Sequence, residues 1–564
     1  MKRTAVCILV SLSLLVAVLP AGVSAVTRYS DVPGGNWSEE YVDAASRYGL
    51  MQGTGGDSFG FGRPVTKAEF VTILCRMFQW EPVEPPTPSY PDVARGQWHY
   101  PYVETALANG VVEKTPTFNP DAPILREEMA VMLVRAFGYQ GIAGNAARYG
   151  HPFADVSDNA GYITVAYDIG MIRGTGATTF APKSTAKREE AAAMLVRVYE
   201  KRKSPTTWFH GFYAFSSFGQ RELTGEMDAV SAGWSQMGFD PEEGALLDTT
   251  GRSGNEWRVP DSYEDITGYL ETNGTPLKLN VFMDARRNVT LPDGSNTNMG
   301  KAILLDPVQR TQAVQAILEE LARTYEAAGR NPYSGVTVDF EGLRGGEMKE
   351  GYNAFLEELA AGLASTGKTL YVMVHPAVWN SPYFDGYDYR TIGRLADKVV
   401  LMAHDYQPTS LQGYEGTAWH RNAALTPIGQ VYYALRAVTD PITGVEDREK
   451  VALAISFTSI AWTVSDGLLV SGTPVQVATP TVYSRLTAPG TVMGYSEVYR
   501  NPYITYRTES GTEIFLWYED GRSVRDKVQL AKMFGIRGVS FWRLGLVPDY
   551  PDGGLHYDVM EAWK

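Results

Sequence analysis

The chain has 564 residues, too many for one ordinary domain, and its 44% hydrophobic and 12% aromatic residues are sufficient for several packed cores. The 64 Asp and Glu exceed the 50 Lys and Arg, and the resulting net charge of −14 argues against a general affinity for nucleic acid. The seven His form no pair at metal-ligand spacing, and the sequence contains no Walker-type phosphate loop, so we predict neither a metal nor another cofactor.

The first 25 residues have the pattern of a secretory signal peptide. Two basic residues precede an apolar run, and the small residues Val23–Ala25 offer a cleavage site. An uncleaved membrane anchor is the alternative. Removal of residues 1–25 would also remove Cys7, and the remaining thiol, Cys75, is predicted to be buried in a helix.

The next part of the chain contains three copies of one pattern. The copies begin with "YSDVPGGNW", "YPDVARGQW" and "FADVSDNAG" and end with "VTKAEFVTILCRMF", "ILREEMAVMLVRAF" and "AKREEAAAMLVRVY". Apolar residues at helical spacing predict a helix–loop–helix unit for each copy, over residues 29–78, 90–139 and 153–201. The Pro-rich "EPVEPPTPS" and the Gly/Ala-rich "GYQGIAGNAARYG" are predicted to be linkers.

These units resemble S-layer homology domains, by which secreted bacterial proteins attach to polymers linked to peptidoglycan. The family signature I-T-R-A-E is matched at Val65–Glu69, Ile124–Glu128 and Ala186–Glu190. The resemblance implies a cell-wall-glycan site made by the basic residue of each signature, the Asp that begins each copy and the Trp of the first helix, which the third copy lacks. These residues are Lys67, Arg126, Arg188, Asp31, Asp92, Asp155, Trp37 and Trp98. A helix start adds backbone N–H donors to a basic side chain, which favours an anion there.

From about Trp208 onward, short apolar runs alternate with helical stretches. The runs are "FHGFYAFSS", "AVSAGW", "LKLNVFMD", "GVTVDFEGL", "TLYVMVHPA", "KVVLMAHDYQ", "VALAISFT" and "GVSFWRLGL". Amphipathic segments such as "NAFLEELAAGLASTGK" lie between them. Eight strand–helix units predict an α/β fold, a (β/α)8 TIM barrel over residues 206–564, with its site at the carboxyl ends of the strands.

The fourth run contains two acids that share one face. Asp339 and Glu341 are two residues apart in an apolar strand, and alternate residues of a strand point to the same side. Burying carboxyl groups costs free energy unless they are paired or used. The pair is therefore either a solvent-facing couple at the barrel rim or a catalytic pair.

This region resembles glycoside hydrolase family 18, and more narrowly its spore-cortex and cell-wall N-acetylglucosaminidases. The fourth-strand signature of the family, D-x-x-D-x-D-x-E, falls on Ser334, Thr337, Asp339 and Glu341. The resemblance implies that Glu341 is the general acid and that Asp339 orients the substrate acetamide. In the family, a carboxyl at the Thr337 position can share a proton with the carboxyl at the Asp339 position. Because Thr337 replaces it, we expect Asp339 to ionise at a lower pH than its counterpart in such a pair.

Other family positions also have counterparts. The sixth-strand motif M-x-Y-D is matched by Met402–Asp405 with His404 in place of Tyr, and Trp542 occupies the eighth-strand position whose indole floors a sugar subsite. Residues 458–517 correspond to a small inserted α+β domain. For Trp542, core packing is the alternative.

The sequence offers roles for four further polar side chains near the predicted strand ends. Asp405 is either a helix cap or a substrate contact, and Tyr213 and Tyr406 are either rim packing or substrate contacts. His375 is expected to be a hydrogen-bonded histidine at a strand end.

We predict a secreted glycosidase anchored in a bacterial cell wall. The repeats would bind a secondary cell-wall polymer, and the barrel would cleave an N-acetylglucosamine-containing polymer, peptidoglycan by preference. In the substrate-assisted retaining mechanism the 2-acetamido oxygen of the sugar attacks, so the enzyme needs an acid and a carboxylate facing the acetamide N–H. Chitin hydrolysis is one alternative. A non-catalytic sugar-binding barrel is another, because Ser334, Thr337 and His404 depart from the family pattern.

Overall fold

The computed structural model describes residues 29–250, 257–326, 329–381, 385–551 and 553–564. The predicted signal peptide, with Cys7, lies outside the described residues. Within these ranges, no helix has both the length and the apolar character needed to cross a membrane. The described residues form two units, of which the first contains the described part of 1–105 with 116–124 and 185–196, and the second contains 106–115, 125–184 and 197–564.

Each of the three repeats contains two helices, as predicted. They are α1 (Glu39–Arg47) and α2 (Lys67–Phe78), α3 (Tyr100–Ala108) and α4 (Arg126–Ala136), and α6 (Ala160–Asp168) and α7 (Arg188–Lys203). The prediction of a second linker is wrong, because that segment contains helix α5 (Gln140–Ala146), which packs against α6. Ile142 and Ala146 of α5 are buried at i, i+4 spacing, a short pattern that the surrounding Gly and Ala obscure.

In the first unit, the residues just before the second helices are joined by a ring of hydrogen bonds. The Val65 N–H donates to Ala186 O at 3.0 Å, the Ala186 N–H to Ile124 O at 3.3 Å, and the Ile124 N–H to Val65 O at 2.9 Å. All three side chains are buried. Helix α2 then starts at a capping box, in which the Thr66 hydroxyl accepts from the Glu69 N–H and the Glu69 carboxylate accepts from the Thr66 N–H.

Eight parallel strands close the barrel in chain order, and they coincide with the eight predicted runs. They are β1 (Trp208–Tyr213), β2 (Ala229–Asp240), β4 (Leu277–Asp284), β7 (Gly335–Glu341), β8 (Thr369–Val374), β9 (Lys398–Leu401), β10 (Val451–Ser456) and β17 (Gly538–Trp542). Between β2 and β7, three short strands lie outside the eight-stranded barrel. Strand β3 (Gly244–Asp248) pairs antiparallel with β2, and β5 (Asn288–Thr290) forms a hairpin with β6 (Asn296–Asn298).

Helices follow most of the strands and pack outside them. They are α8 (Tyr263–Asn273), α9 (Pro307–Ala322), α10 (Gly346–Leu363), α11 (Tyr389–Leu395), α12 (Ile428–Val438) and α14 (Gly521–Met533). The predicted amphipathic segment "NAFLEELAAGLASTGK" begins inside α10, where Phe355, Leu356 and Leu359 are buried. The alternation of strands and helices confirms the TIM barrel.

The predicted insertion between β10 and β17 is also present. It consists of helix α13 (Thr479–Leu486) and a six-stranded sheet in which every pairing is antiparallel. The strands are β11 (Ile460–Ser465), β12 (Leu468–Leu469), β13 (Val475–Gln476), β14 (Val492–Ser496), β15 (Asn501–Arg507) and β16 (Glu513–Trp517). Trp462 and Trp517 lie in its core.

Candidate active site

Strand β7 directs its two acids into the barrel. Phe340 packs against Tyr352 and Phe355 of α10, with ring centroids 5.8 and 5.0 Å apart, so its face of the strand is turned toward the helices. Asp339 and Glu341 flank Phe340 and therefore point to the opposite side, the interior. Because β7 is parallel to its neighbours, both acids lie near its carboxyl end, where TIM barrels place their sites.

Asp339 is only 1% exposed, and its carboxyl group has few protein contacts. Its Oδ2 lies 3.4 Å from the amide nitrogen of Asn280 on β4, whereas its Oδ1 is buried with no hydrogen-bond partner among the described residues. Burial, and then the charge of Glu341, raise the pKa of Asp339 well above its ordinary value, and the Asn280 contact lowers it less. The barrel interior thus disfavours the charged form of Asp339, and the expected lower ionisation pH relative to family members with a carboxyl at position 337 stays a prediction.

Glu341 is the accessible member of the pair. Its side chain is 34% exposed, and its Oε2 lies 3.8 Å from Nε2 of His375, which directly follows β8. His375 was expected only to be a hydrogen-bonded histidine at a strand end. The structure places His375 beside Glu341, the predicted acid. The sequence identifies this contact only once the pairing of β7 with β8 is known.

Thr337 belongs to a chain of hydrogen bonds across the barrel interior. Its hydroxyl lies 2.6 Å from the Ser231 hydroxyl of β2, which lies 2.8 Å from Nε2 of His210 on β1; Nδ1 of the same ring lies 2.8 Å from the Ser540 hydroxyl of β17. All four side chains are completely buried. Burial, with a smaller effect of Lys278, lowers the pKa of His210 to about 3, so the ring is neutral at physiological pH. This series of uncharged, hydrogen-bonded side chains includes Thr337, the position at which the family signature has a carboxyl.

An aromatic cavity of about 550 Å³ opens at the carboxyl ends of β1 and β17, beside Gly233 of β2. Trp542 lies in its wall, with its ring centroid 5.0 Å from that of Phe212 and 6.3 Å from that of Trp257. The aromatic lining residues are Phe212, Tyr213, Phe215, Trp257 and Trp542. Burial raises the pKa of Tyr213 to about 12, so its phenol stays protonated. Trp257 was missed because it lies in an irregular loop without periodicity, and Phe215 because it begins a 3-10 helix directly after β1 although it was included in the first predicted strand run.

The sixth-strand segment contributes a largely buried imidazole and a half-buried acid. Nδ1 of His404 lies 3.0 Å from Oδ2 of Asp405, and the His404 side chain is 9% exposed with its Nε2 lacking a hydrogen-bond partner among the described residues. Asp405 has a left-handed backbone with φ of 54°. The helix-cap interpretation of Asp405 is wrong, because the chain runs on from β9 without starting a helix there. The Tyr406 hydroxyl is buried, and burial raises its pKa.

Comparison with protein families assigns both parts of the chain. The S-layer homology domain matches residues 28–71, 89–130 and 152–192, and glycosyl hydrolases family 18 matches residues 298–546. The chain carries three S-layer homology domains and a family 18 glycosyl hydrolase domain. The family 18 match contains β7 with Asp339 and Glu341, and it extends past Trp542 at the end of β17.

Relatives of the family 18 domain include two proteins named cortical fragment-lytic enzyme. That of Bacillus subtilis is 26% identical over 252 residues, 44% of this chain and 53% of the relative, and that of Bacillus anthracis is 28% identical over 216 residues, 37% and 46%. The chain spans about half the length of the curated relatives it matches. The crystal structure of the Bacillus cereus spore cortex-lytic enzyme SleL aligns with a TM-score of 0.45 at 21% identity, over 61% of this chain and 72% of SleL.

In the first unit, the S-layer homology residues form a groove of about 520 Å³. Arg188 lies at its base and is 4% exposed; its Nε and Nη2 donate to the carbonyls of Phe59 and Gln52 at 2.7 and 2.6 Å, and its Nη1 lies 3.2 Å from Glu69. Trp98, which is 57% exposed, lines the same groove. The structure thus brings two of the predicted glycan-binding residues together, along with Arg63 and Arg76, which the signature does not include.

Arg126, in the second unit, makes equivalent contacts. Its Nε and Nη2 donate to the carbonyls of Phe180 and Arg173, each at 2.9 Å, and its guanidinium lies over the Phe180 ring. Arg126 and Arg188 therefore each hold the loop that ends at a Phe, through the carbonyl of that Phe and the carbonyl of a residue before it. Lys67 is half-buried at the start of α2, and Trp37 is 59% exposed on the turn before α1.

The three predicted Asp residues hold loops through their carboxylates. Asp31 accepts backbone N–H bonds from residues 59, 60 and 61, Asp92 from residues 118 and 119, and Asp155 from residues 180 and 181. Burial alone would raise the pKa of Asp31, but these donors and the Ser58 hydroxyl hold it at about 2. The three Asp carboxylates therefore have a structural role in the repeats. That role does not depend on contact with a glycan.

Proposed function

We propose that the family 18 domain hydrolyses an N-acetylglucosamine-containing polymer, with peptidoglycan as the preferred substrate, while the S-layer homology domains hold it at the bacterial cell wall. The observation that carries this proposal is the pairing of buried Asp339 with accessible Glu341 on one strand. Oδ1 of Asp339 has no hydrogen-bond partner in the described part of the chain, so a substrate group can take that position. Glu341 is exposed where a leaving oxygen would arrive.

The reaction assigns a different task to each acid. Glu341 protonates the glycosidic oxygen while the 2-acetamido oxygen of the sugar attacks the anomeric carbon, and the C–O bond to the leaving sugar breaks. Asp339 accepts the acetamide N–H and holds the group in its attacking position. The carboxylate of Glu341 then takes a proton from the water that opens the oxazolinium ring, which restores the acid with retained configuration.

The raised pKa of Asp339 fits this sequence. Without substrate, the buried carboxyl group favours its neutral form, since burial and Glu341 both oppose ionisation. The neutral carboxyl group can accept the acetamide N–H through its carbonyl oxygen without losing its proton. The oxazolinium ion places positive charge on that N–H, so the hydrogen bond to Asp339 strengthens toward the transition state.

Binding and anchoring use other parts of the chain. Trp542 and Trp257 offer flat apolar surfaces to sugar rings, and the Tyr213 hydroxyl and the His404 imidazole are polar groups near the same end of the barrel. In the first unit, the groove with Arg188 and Trp98 combines a guanidinium with an exposed indole, a suitable pair for an acidic glycan. The proposed location is outside the cell, in the wall.

A zymogram tests the proposal. The full-length protein should clear gels containing peptidoglycan, and Glu341→Gln should not. Clearing of chitin but not peptidoglycan would favour the chitinase alternative. Sugar binding without cleavage of either polymer would favour a non-catalytic barrel, the alternative that Thr337 and His404 support.

A further inference from the structure

We infer that a carboxylate-bearing substituent of the glycan binds in a cationic cleft beside Glu341, an inference that rests on the proposed function. The cleft has a volume of about 910 Å³ and lies at the carboxyl ends of β4 and β7, along β6 and the first turn of α10. We call it the cationic cleft. Its polar and glycine lining includes Arg286, Asn288, Asn298, Lys301, Gly342 and Arg344.

The cleft begins one residue beyond the proposed acid. Gly342 follows Glu341 and has φ of 77°, and side-chain atoms of Arg286 lie 2.8 to 2.9 Å from the position that a Cβ on Gly342 would occupy. The Arg286 side chain therefore packs directly on the backbone after Glu341. The Ala285 N–H also donates to the carbonyl of Glu341 at 2.9 Å. A glycan whose scissile bond lies at Glu341 has its neighbouring sugar close to this cleft.

The charges of the cleft favour an anion. Asp284 accepts two bonds from Arg286, at 2.9 and 3.4 Å; burial raises the pKa of Asp284, but these bonds lower it further, so Asp284 is ionised at neutral pH. Lys301 and Arg344 add two exposed positive side chains to the lining. Among the described residues, the lining of the cleft carries three cations and no acid, in a chain whose net charge is −14. Carboxylates that adjoin the lining include those of Asp284, Glu341 and Asp385, of which the first accepts from Arg286 and the last accepts from the Gly345 N–H. A cleft lined by one sign of charge concentrates ligands of the opposite sign.

The backbone of α10 adds to this field. The helix begins at Gly346 and is 18 residues long; Gly345 has no side chain to cap it, the Asp385 carboxylate accepts the Gly345 N–H at 2.7 Å, and Glu347 lies in the first turn. The positive end of the helix is therefore at the cleft, since Arg344 and Met348 lie on either side of the helix start and both line it. The helix start alone would not define a site, but here it supplements the cationic side chains.

These properties separate the two candidate polymers. Chitin is uncharged, whereas alternate sugars of peptidoglycan carry a carboxylate, either on a free lactyl group or, where that group is amide-linked to a stem peptide, on the peptide. The shared chemistry is a carboxylate next to the cleaved N-acetylglucosamine unit. The cationic cleft therefore selects for peptidoglycan, which the aromatic cavity alone does not distinguish from chitin.

Binding to the full-length Glu341→Gln protein tests the inference without hydrolysis. The probes are soluble peptidoglycan glycan strands free of stem peptide and secondary polymer, the same strands with their carboxyl groups amidated, peptide-bearing fragments, and an N-acetylglucosamine hexamer. Charged strands should bind more tightly than amidated strands. Adding Lys301→Gln and Arg344→Gln should weaken binding of charged strands roughly tenfold, with the hexamer unchanged. Arg287→Gln, an exposed neighbour outside the lining, is the matched control.

The outcomes are distinct. Loss of affinity for the peptide-free charged strands alone identifies the lactyl carboxylate, loss for peptide-bearing fragments alone identifies the stem peptide, and loss for both shows that the cleft accepts either carboxylate. No loss for either carboxylate-bearing probe, or an equal loss for the hexamer, overturns the inference. Hydrolysis is measured separately on the parent protein: if it cleaves the hexamer while the cleft substitutions have no effect on charged probes, the inference fails and the proposed function stands. If the parent cleaves no polymer, the proposed function fails, and the binding comparison still decides the inference.

Discussion

Asp339 and Glu341 lie on the same face of β7, yet Asp339 is 1% exposed while the side chain of Glu341 is 34% exposed. Two residues of one strand thus meet different environments. The deeper carboxyl favours its neutral form, and the outer one faces the solvent from which a substrate arrives. This difference assigns Glu341 to proton transfer and Asp339 to holding the acetamide.

Replacing Glu341 by Gln should remove most turnover and leave sugar binding nearly intact. A general acid contributes about 10²- to 10⁴-fold to the rate, and the amide is isosteric, so the aromatic cavity still binds the glycan. Hydrolysis and calorimetric binding of an N-acetylglucosamine oligomer check this on the full-length protein. Glu347→Gln, an exposed acid in the first turn of α10, is the control. Parent-like hydrolysis by Glu341→Gln would exclude Glu341 as the acid.

Replacing Asp339 by Asn should reduce turnover severely but stabilise the folded barrel at neutral pH. The pKa of Asp339 is higher in the folded protein than the ordinary value of 3.8, so the folded state binds more protons than the unfolded state above pH 3.8. The unfolding free energy of the parent therefore falls as the pH rises from 3.8 to the raised pKa of Asp339, by at most about 1.4 kcal/mol per pH unit. Asn at position 339 cannot ionise, so the variant does not lose this part of its unfolding free energy as the pH rises.

Denaturant unfolding of the parent and Asp339→Asn at several pH values measures this effect. The difference in unfolding free energy should be small at pH 4 and increase toward pH 7. Asp265→Asn, at an exposed position in the first turn of α8, should show no such trend. A difference that does not vary with pH would mean that Asp339 ionises as easily in the folded state as in the unfolded one.

The sequence predicts the eight barrel strands because period-two alternation and apolar runs are local signals. It does not predict the protonation of Asp339, because that depends on burial created by strands distant in the sequence. The same holds for His375, whose position beside Glu341 results from the pairing of β7 with β8. Trp257 lies in an irregular loop, and helix α5 is short and Gly-rich, so neither gives a clear periodic signal.

Replacing Thr337 by Val should cost stability but retain activity. The substitution keeps the shape of the side chain and removes the hydroxyl that lies 2.6 Å from Ser231, a loss of about 0.5–1.5 kcal/mol for one buried hydrogen bond. Asp339 and Glu341 keep their positions, so kcat should stay within a few-fold of the parent. A double-mutant cycle with Ser231→Ala isolates the coupling. A fall in kcat as large as that of Asp339→Asn would instead assign Thr337 to the reaction.

Replacing Trp98 by Ala should weaken sedimentation of the full-length protein with purified cell walls. Substituting Lys67, Arg126 and Arg188 together by Ala is expected to abolish most sedimentation, but Arg126 and Arg188 also hold loop carbonyls, so misfolding would give the same result. Trp98 is 57% exposed in the groove of the first unit, and its truncation removes a sugar-facing surface with little change in packing. We expect roughly tenfold weaker wall binding, unchanged thermal stability and unchanged hydrolysis of a soluble oligomer. Trp419→Ala, at a 45% exposed indole outside the groove, is the matched control. If Trp98→Ala sediments like the parent, the groove is not the wall-binding site, and the glycan contact moves to Lys67 or Arg126.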